Sequence, residues 1–405
     1  MISHLAWRNV WRVPRRTLII LLAVTLGIWN MILMASIMRG SMEQMVHNSI
    51  NTLTGHIQIH KKGYFENPVL ENTIMEPGEI IRKVEGLPPT IRWTGRMRAQ
   101  GIISNARNFA NITVVGITPE SEASVSFLQP SIIQGRYLRS DDHYGLLIGQ
   151  RLAEEFGTGP GKKLVLMTQD SQNNAISTGF RIVGIFKAEM ETTEKSLAFI
   201  TLPSSQKILK LDGGLSEICL VAPHRGMVQS LYTSLSSQLD DRYEVMTWKK
   251  LLPLTTAYVT LWEEVTYLWF IVVFMAMAFG LINTMLMAVF ERVQEFGMLK
   301  AVGMKPRQII MLILAESIYV LTLGVILGDV LIWLTIAWLS RTGINLQSFA
   351  QGLEQWGLSR IIFPVIGTRD FLLSNSIILI LGLAVSLYPA LKASYITPKE
   401  AMTYR

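Results

Sequence analysis

The feature that most restricts this chain is a run of 32 residues, 309–340, carrying only two charged side chains, Glu316 and Asp329. About 20 residues of helix cross a 30 Å hydrocarbon core. A run of this length therefore reads as one membrane helix that tilts or extends past the bilayer, being too short for two with a turn. Three more apolar blocks accompany it, at 17–38, 267–290 and about 371–391. Charged residues make up 17% of the chain, below the roughly 25% of an ordinary soluble domain. The apolar excess sits in the four blocks, and residues 39–266 have the composition of ordinary water-facing protein. The predicted fold class is a membrane protein with four transmembrane helices and a large α+β extracytoplasmic domain between spans one and two.

Arg8, Arg12, Arg15 and Arg16 precede the first block with no acidic residue among them. Basic residues flanking a span stay on the cytoplasmic side. Four spans then place 39–266 outside, 291–308 inside, 341–370 outside and 392–405 inside, with both termini cytoplasmic. A cleaved signal peptide competes for the first block, but the block exceeds a normal h-region and no A-x-A-like site follows it. Within residues 1–16, Trp7 and Trp11 lie four apart beside Arg8 and Arg12. An aromatic face next to a cationic one suits an interfacial helix, which Pro14 breaks before the span. A disordered basic leader is the plainer alternative.

The formal charge of +7 is not gathered into a tract, so nothing points to nucleic acid. Cys219 is the one cysteine, which excludes an internal disulfide and a zinc-type cluster. In "EICLVA" it reads as a buried structural thiol. Residues 39–266 alternate strand-like pieces ("HIQIH", "NITVVGI", "KLVLM", "FRIVGIF", "SLAFITL") with helix-like ones ("QRLAEEFG", "GMVQSLYTSLSSQLD"). No nucleophile triad, close carboxylate pair or metal constellation stands out. His56 and His60 fall on one side of a strand about 13 Å apart, too far for one metal ion, and read as surface or domain-base residues.

Between the second and third blocks lies "FERVQEFGMLKAVGMKPRQI", residues 290–309, with six charged side chains. Val293, Phe296, Gly297 and Met304 fall close to one helical stripe, and Arg292 and Glu295, three apart, can pair on the opposite side. Gly303 supplies a stop and Pro306 prevents continuation. A plain connector needs only a few residues. This segment has an apolar face of its own, with Gly297 where a side chain would hold a partner away. Two readings follow: a helix resting on the lipid surface, or a peg docking into a cytoplasmic protein.

The residues also carry a resemblance. Glu291, Arg292, Glu295, Gly297, Leu299, Lys300, Ala301, Gly303 and Met304 match the pattern E-R-x-x-E-x-G-x-L-K-A-x-G-M. Glu316, Gly324 and Gly328 follow in the next span, and Tyr388, Pro389, Ala390, Ala393, Pro398 and Ala401 match a terminal Y-P-A-x-x-A-x-x-x-x-P-x-x-A. In this order the motifs resemble the FtsX/MacB/LolE superfamily of ABC-transporter permeases, most closely in length and layout the lipoprotein-releasing LolC/LolE type. The resemblance implies that residues 291–304, with Phe296 among them, form a coupling helix on a separate ATPase subunit present in two copies. It also implies a second permease subunit (homo- or heterodimer), a periplasmic carrier or adaptor, and lipoprotein or other lipidated cargo. ATP and magnesium would be used by the partner ATPase and no cofactor by this chain, since no G-x-x-x-x-G-K-[ST] loop occurs in it. MacB-like tripartite efflux and FtsX-like control of a cell-wall hydrolase are the alternatives.

Polar groups inside spans are costly and usually functional. A proton-relay reading would join Glu316 to Asp329, but 13 residues put them about 20 Å apart along a helix. Glu316 is expected near enough to the cytoplasmic interface to be hydrated, as a structural partner of the coupling helix. Gly324 and Gly328 form a small-xxx-small pair for close helix packing. Trp29, Asn30, Leu33, Phe274 and Asn283 are the candidate lining of a cargo cavity.

Overall fold

The computed structural model describes residues 2–346 and 361–397. Part of the expected 341–370 loop and the motif positions Pro398 and Ala401 lie outside the described residues. The described chain divides into two compact units, one holding residues 2–43, 258–346 and 361–397, the other 44–257.

Among the described residues, four helices are long and apolar enough to cross a membrane. They run over Pro14–Ser49, Pro253–Glu291, Pro306–Thr342 and Thr368–Tyr395. The expected spans 17–38, 267–290, 309–340 and 371–391 are thus the apolar parts of longer rods. Apolar content marks the hydrocarbon crossing, whereas the backbone ladder continues through polar residues. The 36 residues of the first helix rise about 54 Å, well beyond a 30 Å core. The water-facing domain is correspondingly shorter than 39–266. A separate helix, Ile2–Arg12, precedes the first rod, and Pro14 opens that rod, where its missing N–H costs nothing. Trp7 and Trp11 stand exposed with their rings edge to face, 5.9 Å apart, while Ala6 and Val10 of the same helix are buried.

In the membrane unit the first and third helices meet at glycines. A Cβ on Gly324 would stand 2.6 Å from Val24, and one on Gly328 2.7 Å from Ile28. Both helices approach here as no larger residue would permit. At the other end of the first helix, Arg39 donates to Asp370 at the start of the fourth, Nη2 to Oδ2 at 2.7 Å.

The second unit is β-rich. Its strands are β1 (Ile57–Lys61), β2 (Arg92–Ser104), β3 (Phe109–Ile117), β4 (Ile132–Gly135), β5 (Gly145–Gly149), β6 (Lys163–Gln169), β7 (Ala175–Phe186), β8 (Leu197–Thr201), β9 (Glu217–Val221) and β10 (Tyr243–Thr247). The order is β10-β1-β9-β2-β3-β8-β5-β7-β4, with β6 joining β7 back to β2. The path β2-β3-β8-β5-β7-β6 therefore closes into a ring, made possible because β2 pairs β9 along its first half and β6 along its last four residues. Ile103, Ile112, Leu146, Leu166, Phe180 and Ile200 belong to one buried apolar cluster of these strands.

His56 and His60 are buried, which corrects their reading as surface residues. His60 lies on β1, whose residues Ile57–His60 are all buried, and His56 directly precedes it. The His60 ring nitrogens contact Ser216 O at 3.1 Å and the Gln58 side-chain amide at 2.9 Å, and the ring stacks on Tyr64. Burial lowers the pKa of both imidazoles.

Candidate functional site: the short helix between the second and third long helices

The second long helix ends at Glu291. Arg292 leaves helical geometry (φ −108°, ψ 19°), and a new helix runs Val293–Ala301. Gly303 turns the chain with φ +102°, a conformation that favours glycine. Pro306 then starts the third helix, with Gln308 Oε1 accepting from Lys305 N at 2.8 Å. The segment expected over 291–308 is thus a nine-residue helix between two turns.

Arg292 is the centre of the geometry. Its Nε donates to Glu295 Oε2 at 3.0 Å, and its Nη1 reaches both oxygens of Glu316 on the third helix at 3.1 and 3.0 Å. Its guanidinium also lies over the Phe296 ring, 5.1 Å from the centroid. Glu316 accepts from Asn9 Nδ2 of the N-terminal helix at 2.7 Å, and Glu295 pairs with Arg12 of the same helix at 2.5 Å. Burial alone would lower the Arg292 pKa, but the two carboxylates outweigh it and raise it, so the guanidinium stays charged. Lys300 completes the tie by donating to Ser394 O at 2.5 Å and Ile396 O at 2.7 Å, the exposed carbonyls at the end of the fourth helix. The short helix is therefore fastened to the N-terminal, third and fourth helices by charged hydrogen bonds.

The face of this helix differs from the one expected for docking. Val293, Phe296 and Gly297 are buried, and Leu299 and Met304 pack against the core of the same bundle. Gly297 therefore serves this chain's own packing, because the apolar stripe turns inward to cover the helices beside it. Facing out are Glu291, Gln294, Ala301, Gly303, Met298 at 63% exposure and Val302 at 88%. Glu316 is 7% exposed, so it is buried rather than hydrated: the Arg292 and Asn9 donors replace water around it.

Each of the expected cavity residues has its own setting in the bundle. Trp29 Nε1 donates to Thr335 Oγ1 at 3.0 Å, and Asn30 Oδ1 accepts from Trp269 Nε1 at 3.2 Å. Leu33 and Phe274 pack against the bundle core, and Asn283 is exposed. Asp329 accepts from Asn375 Nδ2 at 3.2 Å and Glu316 from Arg292 and Asn9, so each carboxylate has its own donor.

Sequence reasoning missed a second cluster, in the β-rich unit. Arg96 of β2 is fully buried and grips Glu122 with two bonds, Nε to Oε2 at 2.9 Å and Nη2 to Oε1 at 2.8 Å. Its Nη1 donates to Glu217 Oε1 at 3.0 Å and to the Leu53 carbonyl, in the turn that ends the first long helix. That turn closes at Gly55, where φ is +65° and a Cβ would meet Cys219 Sγ at 2.3 Å. The available signal was "GRMRAQG": two arginines spaced to share one face of a strand that otherwise reads as core.

Four membrane-length helices, a large β-rich domain inserted after the first, and a charged short helix between the second and third define a polytopic membrane protein of permease architecture. The chain belongs to the MacB-like periplasmic core domain family, whose model matches residues 17–237, and a model of the FtsX-like permease C-terminal region matches 267–398. It is accordingly an ABC-transporter permease of the FtsX/MacB/LolC type and a multi-pass protein of the bacterial inner membrane. Among its relatives is the lipoprotein-releasing system transmembrane protein LolC of Neisseria meningitidis, 21% identical over 96% of this chain and 94% of that one. The macrolide export ATP-binding/permease protein MacB of Bdellovibrio bacteriovorus is 34% identical over 31% of this chain and 17% of its own length. Among solved structures, the periplasmic region of MacB from Actinobacillus actinomycetemcomitans is 13% identical, covering 52% of this chain and 96% of that one at a TM-score of 0.37.

Proposed function

We propose that this chain, as one of two permease subunits, couples ATP hydrolysis by a separate ATPase to movement of its β-rich domain, and that the work extracts lipoproteins or other lipidated cargo from the inner membrane. The observation that carries the coupling is the short helix. Arg292, Glu295 and Lys300 bind it to three neighbouring helices, while Met298 and Val302 are left bare for a partner. A push on that outer face would reach the bundle through charged bonds rather than through loose packing. Both termini are cytoplasmic in this proposal, as Arg8, Arg12, Arg15 and Arg16 favour, so the short helix faces the ATPase.

Lipidated cargo is favoured over drug-type export because the similarity to LolC runs nearly end to end, whereas that to MacB covers less than a third of the chain. Burying acyl chains is worth roughly 0.8 kcal/mol per CH₂, which explains why extraction would need ATP. A carrier protein beyond the membrane and a second permease, identical or homologous, complete the assembly.

The test is co-purification from native membranes followed by ATP turnover. Val302→Asp is expected to abolish stimulation of the ATPase at least tenfold while insertion and thermal stability stay unchanged. Unaltered stimulation would remove the docking role. Recovery of an adaptor and outer-membrane channel in place of a lipoprotein carrier would replace release by efflux.

A further inference from the structure

A cavity of about 40 Å³ lies inside the helix bundle, bordered by the N-terminal helix and the first, second and third long helices. Ile20, Met285 and Val320 contribute to its mainly apolar wall. Of the polar groups on it, Thr17 Oγ1 donates to the Val10 carbonyl, Ser317 Oγ to Ile313 O at 2.9 Å, and Arg292 and Glu316 hold each other. Arg16 is the exception: its Nε and Nη1 are buried and have no hydrogen-bond partner. Glu316, Glu295 and Glu291 act on it through space, but none accepts a hydrogen bond from these two nitrogens: Glu316 is held by Arg292, Glu295 by Arg12 and Arg292, and Glu291 is exposed and not part of the wall.

A guanidinium held out of water without an acceptor is unfavourable, and its planar donors match phosphate oxygens best. Basic pockets between membrane helices near the cytoplasmic side take up anionic headgroups. The cavity has room for about three water-sized groups, enough for phosphate oxygens but not for acyl chains. Leu18, Ile19 and Leu22, all well exposed on the same turns of the first helix, supply an apolar surface for the chains outside.

We propose that Arg16 is a binding site for the phosphate of an anionic phospholipid, seated in this cavity with its acyl chains along the first helix. The inference does not depend on the transport reading, because it requires neither ATPase nor cargo.

The test is native mass spectrometry of the full chain in mild detergent, titrated separately with phosphatidylglycerol, phosphatidylethanolamine and inorganic phosphate. One phosphatidylglycerol per chain is expected, with apparent affinity at least tenfold above phosphatidylethanolamine. Arg16→Gln should weaken it at least tenfold, and Arg15→Gln, at an exposed position, less than twofold. If Arg16→Gln fails to fold, Arg16→Lys carries the test, keeping the charge without the planar fork and expected to lose threefold or more. Equal loss in the Arg15 and Arg16 variants would reduce the effect to surface charge and overturn the site. Displacement of the lipid by equimolar inorganic phosphate would make it a free-ion site. No retained lipid would mean that water alone solvates Arg16. Absence of bound lipid from the unsubstituted chain, with ATPase stimulation intact, would sink this site and leave the transport proposal standing.

Discussion

Replacing Arg292 with methionine tests whether the short helix is held by charge. The variant leaves Glu316 with a side chain only 10% exposed and Asn9 as its remaining donor. At 3.0 Å and an effective dielectric near 20, the direct attraction comes to about 5–6 kcal/mol. Desolvation of both ions offsets much of that, so the pair as a whole is nearly neutral against an apolar replacement. Losing one partner is different, because the other charge stays buried. We expect Arg292→Met to cost roughly 3–5 kcal/mol and Glu316→Leu a similar amount, with the double variant within about 1–2 kcal/mol of the native protein. The coupling energy would then be several kcal/mol of opposite sign to the sum of the single losses. Reversible unfolding in mixed micelles with rising dodecyl sulfate, followed by tryptophan fluorescence, measures all four corners of the cycle. If the two single losses simply add in the double variant, the pair is not coupled and the helix is held by apolar packing alone.

Further predictions concern the packing and the β-rich unit. Gly324→Ala places a Cβ 2.6 Å from Val24 Cγ1 and 2.7 Å from its Cβ and is expected to destabilise the bundle by about 1–3 kcal/mol; Val24→Ala in the same chain should restore little of it in the same micelle assay, because the residue-24 Cβ remains in the way. Cys219 should resist maleimide at pH 8 until the domain unfolds, since burial pushes its thiol up to about 12. Burial alone would raise the Glu217 carboxyl, but Arg98 and Arg96 outweigh it and hold it below its ordinary 4.5. Its stabilisation is therefore complete above the unfolded pKa and is lost as pH falls through the folded one. Protection factors in β1, β2 and β9, taken against intrinsic exchange rates, should decline below about pH 6.5, where unfolding lets the buried His56 and His60 take up protons, and decline further below about 4.5. Arg96→Met, which leaves Glu122 buried without its ion pair and Glu217 with Arg98 alone, should lower protection at neutral pH by an amount equivalent to roughly 3–5 kcal/mol.

What could be read in advance followed from local pattern. The four apolar runs, the strands around "NITVVGI" and "FRIVGIF", and the breaks at Pro14 and Gly303 all depend on neighbours in sequence. The misreadings share one cause, which is that they turn on distant contacts. The apolar run 17–38 marks a span and not the end of its helix, whose ladder runs on through Glu43 and Gln44 to Ser49. The stripe of Val293, Phe296 and Gly297 is legible, but which body it covers is decided by helices remote in sequence, among them the N-terminal one that carries Arg12. His56, His60 and Arg96 look like surface residues in isolation, and their burial depends on contacts remote in sequence, among them His60 with Ser216 and Arg96 with Glu217.

The Arg96 cluster has a mechanical corollary. A joint made of grease yields by degrees, since each methylene that slides loses little. A joint made of one cation clasped by two anions and a carbonyl in a dry interior has no comfortable half-open state: it holds rigidly, or it lets go of every bond together. Strain arriving at the turn beside Leu53 would accordingly pass into the sheet undiminished until a threshold is crossed. Under the coupling proposed above, movement of the β-rich unit should come in discrete steps rather than as a graded drift.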